Sequence, residues 1–299
     1  MLGETIDYLI LRSLSHSRNI ATEEDLNDRA RSESSFSIDE AEFRLRKLLR
    51  RFEGHFPINE EFRYLDIGCG TGDITIALAR AGAKYVTGLD IMPRNIVTAE
   101  VYAKQMEVQN TVRFICDDIH SWKPPDRYDV ILSHEALEHI EDPKGFLQRL
   151  GQLVEPNGVA VLAFGPLFHS PFGDHMRNFF RVQIPWRGVI YSEKAVLRLR
   201  RERFRPTDSA ACYQEIAGGL NLMRYSEFLE YVDDAGWEFD FLTVNPQLKR
   251  FGPAIHLSNL LMRMPLLKDY FALSVYAKLR RREAIFTLPQ RGSETRPAK

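Results

Sequence analysis

The stretch LSHEALEHIEDP, residues 132–143, gathers His134, Glu135, Glu138 and His139 into a short span. Imidazoles and carboxylates together can move a proton or hold a metal, so their spacing matters. The H-E-x-x-H zinc pattern needs histidines four apart on one helical face. His134 and His139 are five apart, which at about 100° per residue separates them by about 140°, and that pattern is excluded. Glu135, Glu138 and His139 stand at i, i+3 and i+4, and on a helix they share a face. Three roles are open for that face. His139 can act as a base or substrate-orienting group with Glu138 beside it. Glu135, Glu138 and His139, completed by His169 or His175, can hold a divalent ion. Or the stretch is a helix start whose carboxylates suit the helix dipole. The first role is preferred, with no metal assigned.

A second chemical signal is YLDIGCGTGD, which places Gly68, Gly70 and Gly72 between a strand and a helix. Glycines there let backbone approach a ligand closely and leave helix N-terminal N–H groups free to donate. Asp90 closes the next strand in VTGLDI, where a carboxylate can accept both hydroxyls of a ribose. FICDDI ends a third strand with Asp117 and Asp118, and Asp117 serves equally well as a turn cap. The glycine spacing is G-x-G-x-G, not the G-x-G-x-x-G of dinucleotide binders, which argues against an NAD-dependent dehydrogenase.

These residues need a scaffold that brings strand ends together. From residue 63, short apolar runs (RYLDIG, YVTGLDI, VRFICDD, YDVILSH, GVAVLAFG) alternate with helical stretches at 73–81, 93–107 and 143–154. That rhythm predicts an α/β, doubly wound, mostly parallel sheet, whose ligands bind at the strand C-termini. Residues 1–55 read as a helical extension, with Ser37 and Glu40 at capping-box spacing and the arginines after them on a solvated face. After Gly165 the rhythm lapses until about residue 225. This stretch is rich in aromatics, including Phe168, Phe179, Phe180, Trp186, Tyr191 and Phe204, and carries ten Lys/Arg against five Asp/Glu. It reads as an acceptor-side lid, or as aromatics packing a small cap. RLRRERFR within it is either a phosphate patch or a solvated helix face. LKRFGPAIHLSNLLMRMPLLK is amphipathic and basic enough to rest on a membrane surface, although packing on the sheet is the preferred reading. The boundaries are 1–55, 56–280 with the lid at 165–225, and a flexible tail at 281–299.

Composition narrows the classes. The 299 residues are 44% apolar and 27% charged, with a net charge of −1 that offers no field to attract nucleic acid. Three scattered cysteines form no C-x-x-C pair, and the N-terminus lacks a basic region before its short apolar run. A cytoplasmic protein with no membrane span is expected.

LDIGCGTGD and GLDI together resemble the class I S-adenosylmethionine-dependent methyltransferases over residues 60–165 and the final helix and strands. The resemblance implies a Rossmann-like, seven-stranded sheet with the lid after the fifth strand. It implies S-adenosylmethionine as cofactor, with Asp66 and the Gly68–Gly72 loop on its methionine part and Asp90 on its ribose. Asp118 and the Ile119 backbone would meet adenine, and Ser133 would line the sulfonium side. E-x-x-E-H is similar to the same segment of ubiquinone-pathway O-methyltransferases and of small-RNA 2′-O-methyltransferases. The expected activity is O-methylation of a small molecule, sugar or lipid-linked intermediate. The alternatives are RNA ribose methylation, or cofactor binding without turnover.

Overall fold

The computed structural model describes residues 2–16, 37–216, 218–251 and 253–282; the expected tail from residue 283 onward lies outside them. Helices α1 (Leu2–Leu14) and α2 (Ile38–Arg51) come first. Then follow β1 (Arg63–Ile67), α3 (Asp73–Arg80), β2 (Tyr85–Asp90), α4 (Pro93–Gln105), β3 (Val112–Cys116), β4 (Tyr128–His134), α5 (Pro143–Leu153) and β5 (Val154–Phe164). The chain continues through α6 (Arg187–Ile190), α7 (Glu193–Arg203), α8 (Tyr225–Asp234), β6 (Trp237–Val244), α9 (Pro253–Met262), α10 (Lys268–Phe271) and β7 (Val275–Arg281).

One seven-stranded sheet has the order β3-β2-β1-β4-β5-β7-β6. β1 to β5 pair in parallel, and β7 runs antiparallel between β5 and β6. The parallel strands are apolar along nearly their whole length because helices cover both faces. One face buries Phe146, Leu147, Leu150 and Phe228, with Trp237 donating its indole N–H to the Leu147 carbonyl at 2.9 Å. The other buries Leu45, Leu48 and Phe52 of α2 against Ile76 and Leu78 of α3. Ser37 caps α2 as its spacing predicts, accepting from the Glu40 N–H. Because α2 belongs to this core, it sits directly over the C-terminal edge of β1.

The segment 165–225, expected as a lid, has its own small core, and α1 is part of it. Leu11 and Tyr8 pack among Phe180, Leu199 and Phe204, and Tyr8 donates to Glu202. Its aromatics are therefore mainly structural: Phe179 stacks on Phe204 at 4.4 Å, and Phe168 meets Tyr213 edge-on at 4.7 Å. Asp174 and Arg187 form a buried ion pair at 2.6 Å, with the guanidinium 3.8 Å above the Phe180 ring. RLRRERFR is in part the solvated face its pattern allows, with Arg198, Arg201 and Glu202 exposed, and its other arginines anchor the segment. Arg203 donates to the Arg12 and His16 carbonyls and the Ser15 hydroxyl, while Arg200 pairs with Asp208.

The stretch between β6 and β7 hangs on Asn245, which is fully buried with a left-handed φ of +56°. Its carbonyl oxygen accepts the Leu273 and Ser274 N–H groups, and its amide donates to Ser258 Oγ and the Phe271 carbonyl. Asn245→Ala leaves the half-buried Leu273 and Ser274 N–H donors unpaired and keeps a side chain at positive φ. Urea denaturation should therefore show a loss of about 3–5 kcal/mol. A loss under about 1 kcal/mol would mean the stretch is held some other way.

Candidate functional site

All five parallel strands point their C-termini at one edge, and the sequence-predicted residues gather there. The turn after β1 carries Gly68, Gly70 and Gly72 at φ +73°, +55° and +88°, a conformation that costs other residues about 1–2 kcal/mol each. Gly68 and Cys69 donate to the Leu89 carbonyl at 2.8 and 3.1 Å. A Cβ on Gly68 would lie 2.5 Å from that of Ala136, and one on Gly72 would lie 2.8 Å from the Phe114 ring. At Gly70 a Cβ would meet nothing within 4 Å, so the front of the loop is open for a ligand to lie against backbone.

Asp66 ends up 2% exposed beneath this loop, accepting from Thr75 Oγ1 at 2.7 Å. Burial pushes its carboxyl up to about 7, against only partial relief from Thr75. Such a group suits an incoming ammonium, which would restore the charge balance. Asp90 accepts from the Gly70 N–H through one oxygen (2.9 Å), and from the Met92 N–H and Asn95 amide through the other. The oxygen that takes the Gly70 N–H keeps a further lone pair for a hydroxyl, whereas the other already accepts twice. Asp118 accepts from the His120 N–H at 3.0 Å, and the Ile119 carbonyl is braced by Arg149 Nε at 3.1 Å. Asp117 caps this turn, taking the Asp118 N–H. Ser133 is buried beside Ile67, and its hydroxyl has no partner among the described residues.

Arg44 lies on the exposed face of α2, as the arginines there were read, and it also borders the site. A cavity of about 200 Å³ is bounded by Asp66, the glycine loop, Asp73, His134, Glu135 and Arg44. Arg44 lies between Glu40 (2.7 Å) and Asp73 (3.1 Å), with its guanidinium over the cavity. The signal was present: Arg44 falls three residues after Ala41 and four before Leu48, both buried, and so lies at the margin of the inward face. Thr75 and Asn95, the partners of Asp66 and Asp90, were not singled out from sequence either. Nothing in their local pattern distinguishes them.

The helical face expected of Glu135, Glu138 and His139 does not form. The Glu135 N–H still donates to the Ala163 carbonyl at 2.7 Å, which prolongs strand geometry past β4. Glu135 then takes φ +54°, and a single 3-10 turn covers Leu137–His139. The three side chains diverge. Glu135 is exposed toward Arg44, Glu138 is turned inward at 4% exposure, and His139 faces the lid. Among the described residues, no group of three His, Cys, Asp or Glu side chains is placed to hold a metal.

Glu138 therefore does not orient His139. One of its oxygens accepts the Gly165 N–H at 3.1 Å, and the other has no partner among the described residues. Burial raises this carboxyl to about 7. His139 is oriented instead by the Gly219 carbonyl, 2.7 Å from Nδ1. A carbonyl only accepts, so in the neutral ring Nδ1 carries the proton and Nε2 the lone pair. His175, itself at φ +54°, stands edge-on with ring centres 5.3 Å away. Its Nε2 donates to the Pro166 carbonyl, leaving Nδ1 unprotonated, and burial holds its basicity below the usual imidazole value. The lid closes this side: Asn221 donates to the Leu137 and Ile140 carbonyls, and its N–H to that of Glu138.

The two buried carboxyls make stability pH-dependent in a definite direction. Their folded values of about 7 lie above the ordinary 3.8 and 4.5, so between those limits the folded state binds more protons than the unfolded chain. Their contribution to stability must fall as pH rises through that window. Burial of His134, His169 and His175 holds their basicity down and acts in the opposite direction, so the carboxyl contribution is read by difference. Thermal unfolding of ligand-free protein should show the wild type losing midpoint relative to an Asp66→Asn/Glu138→Gln variant between pH 5 and pH 8. The variant should lose that part of the slope. An unchanged slope would show that both groups ionise freely in the folded protein.

Comparisons with known proteins agree with this geometry. A family model described as "Methyltransferase domain" matches residues 39–239. A ubiquinone biosynthesis O-methyltransferase of Rickettsia canadensis is 33% identical over 120 residues, covering 40% of this chain and 50% of that protein. The chain spans about half the length of the curated relatives it matches. An S-adenosylmethionine-dependent methyltransferase structure from Mesorhizobium loti superposes with TM-score 0.52 at 18% identity, covering 82% of this chain and all of that one. A [4+2]-cyclase structure gives TM-score 0.51 at 15% identity, covering 95% and 96%. The matched residues include the glycine loop and the turn after β4, and the chain belongs to the methyltransferase-domain family, within the class I S-adenosylmethionine-dependent methyltransferase superfamily.

Proposed function

We propose that the protein transfers a methyl group from S-adenosylmethionine to a hydroxyl of a small, partly apolar acceptor. One observation carries this reading: the open glycine loop touches the turn that presents His139, so a donor cradle and an unprotonated imidazole share one edge of the sheet. The residues fit the cofactor. Asp66 and Arg44 offer opposite charges for the ammonium and carboxylate of its amino acid, Asp90 has a lone pair for its ribose, and the loop leaves room at Gly70. The exposed Ile91 and Met92 give an apolar surface beside Asp90 for its base.

When bound, the cofactor supplies an electrophilic methyl, and the protein's part is alignment and proton removal. His139 Nε2 is the base in this reading. His175 fixes the acceptor on the opposite side, and residues 165–225 exclude water and select the acceptor. The ubiquinone-pathway relatives support a hydroxyl as acceptor. A net charge of −1 offers no broad cationic field for the RNA backbone, which disfavours RNA ribose methylation. Free Cys69, Cys116 and Cys212 suit a reducing compartment such as the cytoplasm.

Calorimetry should show binding of S-adenosylmethionine and S-adenosylhomocysteine, with Asp90→Ala weakening both by about 1.5–3 kcal/mol. Affinity should decline as pH falls through about 7, where Asp66 takes up its proton, and this dependence should vanish in Asp66→Asn. Binding of NAD in place of these ligands would end the proposal. His139→Ala should cut turnover by about 10²-fold or more with cofactor affinity unchanged. Exhaustive EDTA dialysis should leave wild-type activity intact; activity restored only by Mg²⁺ or Mn²⁺ would replace the base with a metal.

A further inference from the structure

The segment between β6 and β7 is anchored by both polar and apolar inner contacts: Ser258 is buried on Asn245, Asp269 is buried against the Ser226 N–H and hydroxyl at 2.8 Å each, and Met262 and Ala272 pack on the main core. Several of its larger apolar side chains nevertheless point outward. Leu257 and Leu260 on α9 are 57% and 59% exposed, Met264 one turn later is 46% exposed, and Leu266 at the following turn is 85% exposed. Leu257, Leu260 and Met264 are spaced i, i+3 and i+7, so they form one stripe. An aliphatic stripe of this kind in solvent marks an interaction surface.

Charge selects the occupant. Residues 246–274 contain four Lys/Arg and one carboxylate, Asp269, and that carboxylate is turned inward. Arg263 and Lys268, beside the stripe, meet no carboxylate among the described residues, and His256 is exposed on the same helix. Protein interfaces draw their anchors from aromatic residues and mix both signs of charge at the rim. Leucine and methionine flanked only by cations match instead the interfacial layer of an anionic bilayer, where acyl chains take the apolar side chains and lipid phosphates take the cations.

We propose that α9 and the Met264–Leu266 turn form a peripheral docking site for an anionic membrane surface. The site is joined to the acceptor side of the protein. Trp186 of the lid donates its indole N–H to the Tyr270 carbonyl at 2.8 Å and packs edge-on against Phe271, and His169 stands 6.1 Å from the Tyr270 ring. Docking through α9 therefore holds the lid next to the lipid, where an apolar acceptor would be concentrated. The binding itself does not depend on the acceptor proposed above and is measured without turnover.

Flotation with phosphatidylcholine vesicles and with mixed phosphatidylcholine–phosphatidylglycerol vesicles tests the site on the full chain. Wild-type protein should float with the anionic vesicles and be released by high salt. Leu257→Ser/Leu260→Ser/Leu266→Ser should lower the partition coefficient by about tenfold or more on both vesicle types. Arg263→Ala/Lys268→Ala should lower it about fivefold per charge, on the anionic vesicles alone. Leu257, Leu260, Arg263 and Leu266 are exposed and Lys268 is half-buried, so unfolding midpoints should match wild type and separate lost docking from lost fold. Wild-type protein that stays unbound with both vesicle types overturns the proposal, as does a triple variant that floats like wild type. A concentration-dependent dimer that the triple variant dissolves, without flotation of the wild type, would assign the stripe to a second copy of this chain instead.

Discussion

The contact of Gly68 with Ala136 is the constraint on which the site depends. β1 and β4 are neighbours in register, Ile67 opposite Ser133, so the turns that leave them must pass each other at the same height. They can do so only because Gly68 has no side chain: any Cβ there would overlap that of Ala136. One turn carries the ligand-facing backbone and the other carries His139. Their separation is thus fixed by main chain, which holds geometry better than side-chain rotamers or mobile loops do. The lid then secures the second turn from outside, through Asn221 and the Gly219 carbonyl.

This arrangement comes with a local energetic cost. Asp66 and Glu138 are carboxyls withdrawn from water with too few donors to compensate, on the two sides of the Gly68–Ala136 contact. Buried charge of this kind opposes folding. The two differ in what can relieve them. Asp66 faces the cavity lined by Arg44 and the glycine loop, so a cationic ligand can offset its desolvation. Glu138 faces the Gly165 N–H at the root of the lid, where its protonation state bears on how the lid attaches. Strain at Glu135 and His175, both at positive φ, lies in the same region, as expected where a site overrides local preference.

Much of the scaffold was legible in the sequence because parallel strands write a simple code. Apolar runs such as VAVLAF, each ended by a turn and followed by an amphipathic stretch, gave all five parallel strands and the site's edge. The glycine turn and Asp90 were legible for a similar reason, since short-range backbone chemistry fixes them. The HEALEH stretch was misread because a 3.6-residue period was applied where β4 pairing with β5 persists through Glu135. Tertiary pairing outweighed helix spacing, and three side chains that a helix would align were sent in three directions. The carbonyl that orients His139 lies 80 residues away, and no local pattern encodes it. The lid aromatics were ambiguous for a different reason: burial against α1 and exposure to an acceptor draw on the same residue types.

Fold alone does not assign the chemistry here, since a [4+2]-cyclase superposes on this chain about as well as a methyltransferase does. A cyclisation that moves no proton to the protein needs shape from its site and no base. This chain instead has two imidazoles, His139 and His175, each with one nitrogen engaged by a main-chain carbonyl and the other left with its lone pair. Holding two such groups 5.3 Å apart, one of them on strained backbone, is a cost that a purely shape-selecting pocket would not require. The arrangement fits the proposed methyl transfer to a hydroxyl, in which a proton must leave the acceptor.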